Sequence, residues 1–261
     1  MNYVFHVQTH PGLLRQNNED AAGFDSDYGL GVLADGMGGY NAGEVASSMA
    51  VNVIRTELGD WLSAAGPQAA LRETRKAVDR SVQHANQAIL SMARADPSCA
   101  GMGTTLVVAV FQEQRILLGH IGDSRAYRLR QNQFQQMTRD HSLLQEQLDA
   151  GLITPAQAAV SSQRNLVTRA LGIDEAVELD LNEFPVEAGD LYLLCSDGLS
   201  DMVSDAHIAE ILRSEAPLER KARHLIEDAN AFGGRDNITV LLAQALAAPV
   251  RQSLMSRLLR T

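Results

Sequence analysis

The chain has 261 residues, of which 45% are hydrophobic and 21% are charged, and its formal net charge is -10. This composition indicates a globular protein with a substantial core, while the acidic excess argues against a nucleic-acid partner. No apolar run is long enough to span a bilayer and no secretion signal opens the chain, so we expect a cytoplasmic protein. Cys99 and Cys195 lie far apart and outside any CxxC pattern, which favours buried thiols over a disulfide or a zinc site.

Seven apolar segments rich in β-branched residues predict strands, at residues 2–8, 28–34, 104–111, 115–121, 125–130, 190–195 and 237–243. Short polar turns at 112–115 and 130–133 separate neighbouring segments. Such short connections favour antiparallel hairpins over parallel crossovers.

Two long helical patterns lie between the second and third predicted strands. Over 44–62 the apolar residues follow helical spacing, with Asn41 and Glu44 as the expected N-terminal capping pair. Over 68–94 a second stripe runs from Leu71 to Met92, and further helical patterns occur at 143–150, 205–213 and 218–231. One-sided stripes predict helices that lie on a sheet, so we expect an α+β fold with sheets inside and helices outside.

The chain contains no linker rich in Pro, Gly or Ser that would divide it, and no internal repeat. We therefore expect one domain over residues 1–245, followed by a weakly basic tail at 246–261. Residues 141–171 interrupt the strand pattern with short helical pieces, and we interpret them as a flap beside a site.

Four aspartates recur beside apolar segments: Asp35 in "ADGMGG", Asp123 in "GDSR" and Asp197 in "CSDG" follow such a segment, and Asp236 in "GGRDN" precedes one. Each alone is more often a turn residue. If they converge, two carboxylates about 4 Å apart repel by roughly 4 kcal/mol at an effective dielectric constant near 20, so cations are needed to keep them ionised. Ligands that are all oxygen favour magnesium or manganese, and the glycines allow the Gly36 carbonyl to join them.

The segment "RQNNED" adds a possible phosphate-binding group. Arg15 offers a planar fork that suits phosphate oxygens, and Glu19 and Asp20 follow it. On its own, Arg15 is more often a surface salt bridge. Beside two cations that activate a water, it would favour hydrolysis of a phosphate ester.

Eight motifs in order resemble the bacterial form of the metal-dependent serine/threonine protein phosphatases, the PPM or PP2C family. They are "RQNNED", "LADGMGG" followed by "GE", "GTTLVVAV", "GHIGDSRAYRL", "TRDHSLL", "RNLVTRALG", "CSDGLSDMVSD" and "GGRDNITVLL", and they extend from about residue 8 to 243. The resemblance implies a four-layer αββα sandwich, in which two antiparallel sheets are flanked by helix pairs. It also implies hydrolysis of phosphoserine and phosphothreonine on proteins, opposing a bacterial Ser/Thr kinase.

The resemblance further implies a role for each matching residue. The catalytic metal ligands would be Asp35, which bridges two Mn²⁺ or Mg²⁺ ions, with the Gly36 carbonyl, Asp197 and Asp236. Asp123 would help to form a weaker third site, and Arg15 would bind the substrate phosphate. Glu19, Asp20 and Asn237 would support the ligands from outside.

The sequence also bears on three other functions. A cysteine phosphatase needs an arginine six positions after its cysteine, and Asp201 stands there after Cys195. A non-catalytic phosphoprotein-binding module would be expected to lack a ligand carboxylate, yet all are present. A hydrolase for small phosphate esters stays open, because a phosphate site says little about what carries the phosphate. We expect a monomer.

Several positions differ from common family patterns, namely Met37, Tyr40, Ser161 and Ser162. We expect these to affect substrate preference more than metal binding. His120 is expected to be a packed, hydrogen-bonded histidine and His141 a turn or cap residue. Arg164 and Arg169 are expected to form structural ion pairs.

Overall fold

The structure is a computed structural model, and it describes residues 1–38, 42–66, 68–158 and 166–247. The predicted cap Asn41, together with Tyr40, Ser161, Ser162, Arg164 and nearly all of the tail, lies outside the described residues. The strands are β1 Asn2–His10, β2 Asp20–Asp25, β3 Leu30–Met37, β4 Gly103–Thr104, β5 Leu106–Gln112, β6 Arg115–Ile121, β7 Arg125–Arg130, β8 Gln133–Gln136, β9 Asp180–Pro185, β10 Leu191–Cys195 and β11 Ile238–Leu246. The helices are α1 Ala42–Ala65, α2 Leu71–Ala95, α3 Leu143–Asp149, α4 Pro155–Ala158, α5 Asp197–Ser200, α6 Asp205–Arg213 and α7 Leu218–Ala231, with a 3-10 turn at Pro97–Cys99.

The strands form two antiparallel sheets. One has the order β1-β11-β10-β7-β8 and the other the order β2-β3-β5-β6-β9, with β4 paired to the end of β3. The hairpins predicted at 112–115 and 130–133 are confirmed, because β5 pairs with β6 and β7 with β8. Strand β10 is buried on both faces, which explains why its sequence is continuously apolar. Leu191, Leu193 and Cys195 face the α6–α7 layer, while Tyr192 and Leu194 face the other sheet.

Three apolar clusters define the layers. One packs α1 and α2 on the outer face of the β2–β9 sheet, one lies between the sheets, and one packs α6 and α7 on the outer face of the other sheet. This arrangement is the four-layer αββα sandwich that the motifs implied, and it confirms the α+β expectation. Among the described residues, no helix is both long and apolar enough to cross a membrane.

Some elements differ from the sequence prediction. Strands β2, β8 and β9 were not predicted, and each is the edge of its sheet. Edge strands carry few buried apolar residues, so their sequences lack the alternation that marks inner strands. Met92 was placed on the buried stripe of α2 but is 41% exposed, whereas its neighbour Leu90 is buried.

Candidate active site

Five aspartates converge at the ends of strands from both sheets. Asp20 and Asp35 are directly opposite each other in the β2–β3 pair, so their side chains lie on the same face of the sheet. Burial raises the pKa of Asp35 well above its usual range, and Asp20, Asp197, Asp123 and Asp236 raise it further by charge repulsion. The structure therefore brings together the four strand-end acids that the sequence singled out, together with Asp20.

The same crowding acts on the other members of the cluster. Burial raises the pKa of Asp197 well above its usual range, and repulsion from Asp123, Asp201 and Asp236 adds to this. Burial also raises the pKa of Asp123 to about 6, and charge repulsion from Asp140 adds to this. A cluster of this kind needs cations to remain ionised at neutral pH.

Asp20 provides a direct test of whether a cation fits. Burial raises its pKa to about 6, and the Ser196 hydroxyl donates to its Oδ2 atom at 2.7 Å. Its other oxygen, Oδ1, is buried and has no hydrogen-bond partner among the residues that the structure describes. An unpaired carboxylate oxygen inside a cluster of carboxylates fits a hard divalent cation or one of its waters.

Asp35 is held by its own backbone. Its N–H donates to the Thr105 hydroxyl at 3.0 Å, and its carbonyl accepts from the Thr105 N–H at 2.9 Å and from the Thr104 hydroxyl at 2.8 Å. The Thr105 hydroxyl also lies 2.7 Å from that of Ser124, next to Asp123. These contacts fix two of the predicted ligands relative to each other.

Gly36 needs to be glycine for a packing reason. A Cβ atom there would overlap the backbone of Gly43 in α1 and approach the Glu19 carbonyl to 2.6 Å. The Gly36 N–H donates to that same carbonyl at 3.1 Å. The close approach of β3, α1 and the Glu19 loop leaves the backbone at Gly36 next to the acidic cluster, as expected if its carbonyl is a ligand.

Hydrogen bonds from the Asn237 side chain hold the loop that carries Arg15 beside Asp236. The Asn237 side chain donates to the carbonyls of Pro11 and Asn17 at 3.0 and 2.8 Å, and accepts from the Glu19 N–H at 2.7 Å. Arg15 is half exposed, and its Nη2 atom donates to Asp236 Oδ2 at 2.7 Å. Burial raises the pKa of Glu19 on the same loop.

A cavity of about 280 Å³ opens beside the cluster, between the core and the flap. Its lining includes Asp123, Asp197 and Asp201, and also Ser142, Leu144 and Pro155 of the segment 141–171. The expectation that residues 141–171 lie beside the site is thus consistent with the part of that segment that the structure describes.

Sequence reasoning missed several residues at this site. The family motifs contain four further polar residues for which the sequence predicted no role: Thr104, Thr105, Ser196 and Asp201. The motif positions were the available signal, since "GTT" contains both threonines and "CSDG" contains Ser196, each beside a strand. The expectation for His141 was wrong: it is buried, it lies outside any turn, and the N-cap of α3 is its neighbour Ser142. The expected ion pairs of Arg169 are present, with Asp180 and Glu178.

Comparison with known proteins gives the family. The profile described as Protein phosphatase 2C matches residues 12–229. The chain belongs to the protein phosphatase 2C family. The "Serine/threonine phosphatase stp" of Listeria monocytogenes is 39% identical over 243 residues, which cover 91% of this chain and 94% of the relative.

Solved structures of the family agree with the fold. The crystal structure of the Mycobacterium tuberculosis serine/threonine phosphatase PstP/Ppp has a TM-score of 0.87 and 40% identity, covering 95% of this chain and all of that one. The PstP catalytic domain in complex with 2 manganese ions has a TM-score of 0.83 and 39% identity, with 94% of this chain and 99% of that chain covered. As a PP2C-family member, this chain is a metal-dependent enzyme, and the role of each individual carboxylate stays a prediction.

Proposed function

We propose that this chain hydrolyses phosphoserine and phosphothreonine esters in proteins, using two Mn²⁺ or Mg²⁺ ions. One observation carries the proposal: Asp35 is crowded by four other aspartates at a single point of the sandwich, with Arg15 at its rim. Relatives named as serine/threonine phosphatases, and the manganese-bound neighbour, support it.

The proposed ligands are Asp35, the Gly36 carbonyl, Asp197 and Asp236, with Asp123 at a weaker third site. When bound, the ions supply a nucleophilic water at neutral pH and neutralise charge on the phosphoryl group. Glu19 and Asp20 support this arrangement from outside, where the unpaired Oδ1 of Asp20 can accept from a metal-bound water.

The remaining residues of the proposed mechanism bind and orient. Arg15 uses one Nη atom for Asp236, and its exposed guanidinium keeps further donors for a phosphate dianion. Asn237 holds the Arg15 loop at a fixed distance from the acids, through its contacts with Pro11, Asn17 and Glu19. The substrate phosphate would thus lie between Arg15 and the ions.

We also propose that the substrates are proteins phosphorylated by a serine/threonine kinase, and that the protein acts in the cytoplasm as a monomer. The alternatives considered from the sequence are not favoured. A binding module would not need the full set of acids, and the relatives are named as protein phosphatases, not as hydrolases of small esters.

The test is an assay of purified protein on a phosphothreonine peptide and on p-nitrophenyl phosphate, with Mn²⁺, with Mg²⁺ and with EDTA. We expect metal-dependent release of phosphate from the peptide, absent with EDTA and lost in Asp197→Ala. Hydrolysis of p-nitrophenyl phosphate alone would favour a small-ester hydrolase. No hydrolysis of either substrate, with metal still bound, would favour a binding module.

A further inference from the structure

His141, at the start of the flap segment 141–171, contacts Gly122 through two hydrogen bonds. Its backbone N–H donates to the Gly122 carbonyl at 2.9 Å, and its Nδ1 atom accepts from the Gly122 N–H at 3.2 Å. Only 8% of His141 is exposed. Gly122 directly precedes Asp123, one of the converging acids, and adopts a φ of +97°, which favours glycine.

These contacts determine where the ring of His141 carries its proton. A backbone N–H can only donate, so Nδ1 must present a lone pair and the proton of the neutral ring lies on Nε2. Nε2 lies 3.3 Å from Asp180 Oδ2, and Asp180 in turn pairs with Arg169 at 3.3 Å. Burial, with the neighbouring His120, lowers the pKa of His141 and so favours this neutral form.

The same geometry argues against a metal at this point. Within the described part of the chain, His120, His141 and Asp180 each place a candidate ligand atom within 4.8 Å of the others. A metal at Nε2 of His141 would require a lone pair there, while the lone pair of the ring already faces the Gly122 N–H. The three side chains therefore form a hydrogen-bonded group and not a metal site. The Gly122 N–H donates to Nδ1 of His141, and Nε2–H of His141 faces Oδ2 of Asp180.

The ring of His141 is also held in place by its neighbours. It stacks on His120, with centroids 4.6 Å apart, and Nε2 of His120 lies 2.7 Å from the Arg139 carbonyl. The carbonyl of His141 accepts from the N–H of Thr168 at 2.8 Å. His141 thus joins three parts of the chain: the turn before Asp123, the start of the flap segment and the end of that segment at Thr168.

We propose that His141 is a positioning residue, whose Nδ1 acceptor holds the Gly122–Asp123 turn in register with the base of the flap. Through this bond, the placement of the Asp123 carboxylate depends on the base of the flap. The inference rests on the proposed function, in which Asp123 contributes to a weak cation site. It assigns no chemistry to His141 itself.

Two substitutions separate the ring's two nitrogen positions. His141→Asn places an amide oxygen near the position of Nδ1, so it can still accept from Gly122. His141→Gln reaches towards the position of Nε2, so it can keep the Asp180 contact but loses the acceptor for Gly122. Both lose the stacking on His120, and Gln is closer to His in size. A role in packing alone would therefore favour Gln, and the proposed role favours Asn.

The first measurement is hydrogen exchange of the Gly122 amide in the metal-free protein, followed by NMR. We expect wild-type and His141→Asn to protect this amide, and His141→Gln to exchange it about three- to tenfold faster. The second measurement is calorimetry with Mn²⁺ alone, where the weakest site should lose about three- to tenfold in affinity in His141→Gln and recover in His141→Asn. His84, a half-exposed histidine bound to Glu57, provides the matched control, and His84→Gln should change neither quantity.

Equal behaviour of the Asn and Gln variants, or better behaviour of Gln, would overturn the proposal. So would faster exchange at Gly122 with no change at the weakest Mn²⁺ site, since Asp123 would then not depend on His141. The exchange measurement needs neither metal nor substrate. A wild-type protein that bound no Mn²⁺ and released no phosphate would contradict the proposed function, and the Gly122 result would still decide the bond to His141.

Discussion

Strand β10 is flanked by an aspartate on each side, and the pKa values of the two carboxyl groups shift in opposite directions. Asp190 precedes the strand and is buried, with 1% exposed. Burial raises its pKa, but hydrogen bonds from Arg130 and from the Glu187 N–H outweigh this, so that the net pKa is lowered. The Nε and Nη2 atoms of Arg130 donate hydrogen bonds to Oδ1 and Oδ2 of Asp190 at 2.8 and 2.7 Å.

At the other end of β10, Asp197 faces like charges. Burial raises its pKa, and repulsion from Asp123, Asp201 and Asp236 raises it further. The two aspartates are seven residues apart and flank the same five-residue strand. Asp190 is the less exposed of the two and yet has the lowered pKa, so the difference does not arise from burial alone. It arises from the partner: Asp190 has an arginine supplied by the chain, and Asp197 has an arrangement that a cation would complete.

The largest expected effect follows from removing the charge at the crowded end. Asp197→Asn keeps the shape of the side chain but removes an anionic ligand, so hydrolysis of a phosphothreonine peptide should fall by at least about 100-fold. Because repulsion is relieved, the metal-free variant should also unfold at a higher temperature than metal-free wild-type protein. Initial rates at saturating Mn²⁺ and thermal unfolding in EDTA test both parts. A rate within tenfold of wild type would contradict the ligand role.

The matched change at the other end should have the opposite effect on stability. Asp190→Asn removes the charge that accepts two hydrogen bonds from Arg130 and leaves Glu187 as its remaining ion-pair partner, so we expect the free energy of unfolding to fall by about 2 kcal/mol. The rate per folded molecule should stay unchanged, because Asp190 lies at the far end of the strand. Urea unfolding in EDTA measures the first quantity. If this variant were as stable as wild type, the contrast between the two ends would lose its basis.

The pH dependence of stability sharpens the comparison through Asp20. Burial raises the pKa of this carboxyl from 3.8 to about 6 in the folded, metal-free protein. The folded state therefore binds the proton more tightly than the unfolded chain, so protonation of Asp20 stabilises the fold. This stabilisation is fully present below about pH 4 and is lost as the pH rises through about 6. The Asp20→Asn variant has no titratable group at this position, so its stability lacks this dependence on pH.

We accordingly expect metal-free Asp20→Asn to exceed metal-free wild type in stability by about 3 kcal/mol at pH 7.5, at about 1.4 kcal/mol per unit of pKa shift. The difference should diminish towards pH 4. Urea unfolding of both proteins in EDTA at several pH values measures it. Parallel stability curves over this pH range would mean that folding does not raise the pKa of Asp20.

The smallest expected effect concerns Arg15 at the rim. Arg15→Lys keeps the charge but loses the fork that can bind two phosphate oxygens, so KM for a phosphopeptide should rise about fivefold with a smaller change in kcat. Stability should change by less than about 0.5 kcal/mol, because the bond to Asp236 is solvent exposed. Steady-state kinetics give both constants. An unchanged KM would assign Arg15 to the salt bridge with Asp236 alone.

The sequence was sufficient for the layers and for the acids, for a physical reason. Asp35 and Asp197 are next to runs of buried apolar residues, and a carboxylate in that position is unusual enough to stand out locally. Strands β2, β8 and β9 were missed because edge strands are partly solvated, and β9 reads "DLNEFP" with little apolar content.

The supporting contacts could not be predicted from local patterns. Ser196 and Asp20 are 176 residues apart in the chain, and Thr105 and Asp35 are 70 apart. His141 contacts Gly122 across 19 residues and a change of element. Which hydroxyl or ring nitrogen meets which partner depends on the packing of both sheets, so a single sequence leaves these pairs undetermined.

The most direct test of the central claim is a calorimetric titration of the metal-free protein with Mn²⁺ at pH 7.5. The account predicts that wild-type protein and Asp190→Asn bind at least two ions, and that Asp197→Asn binds them at least about tenfold more weakly. Wild-type protein that binds no Mn²⁺, or an Asp197→Asn variant that binds as tightly as wild type, would contradict the claim that the crowded end of β10 is a cation site.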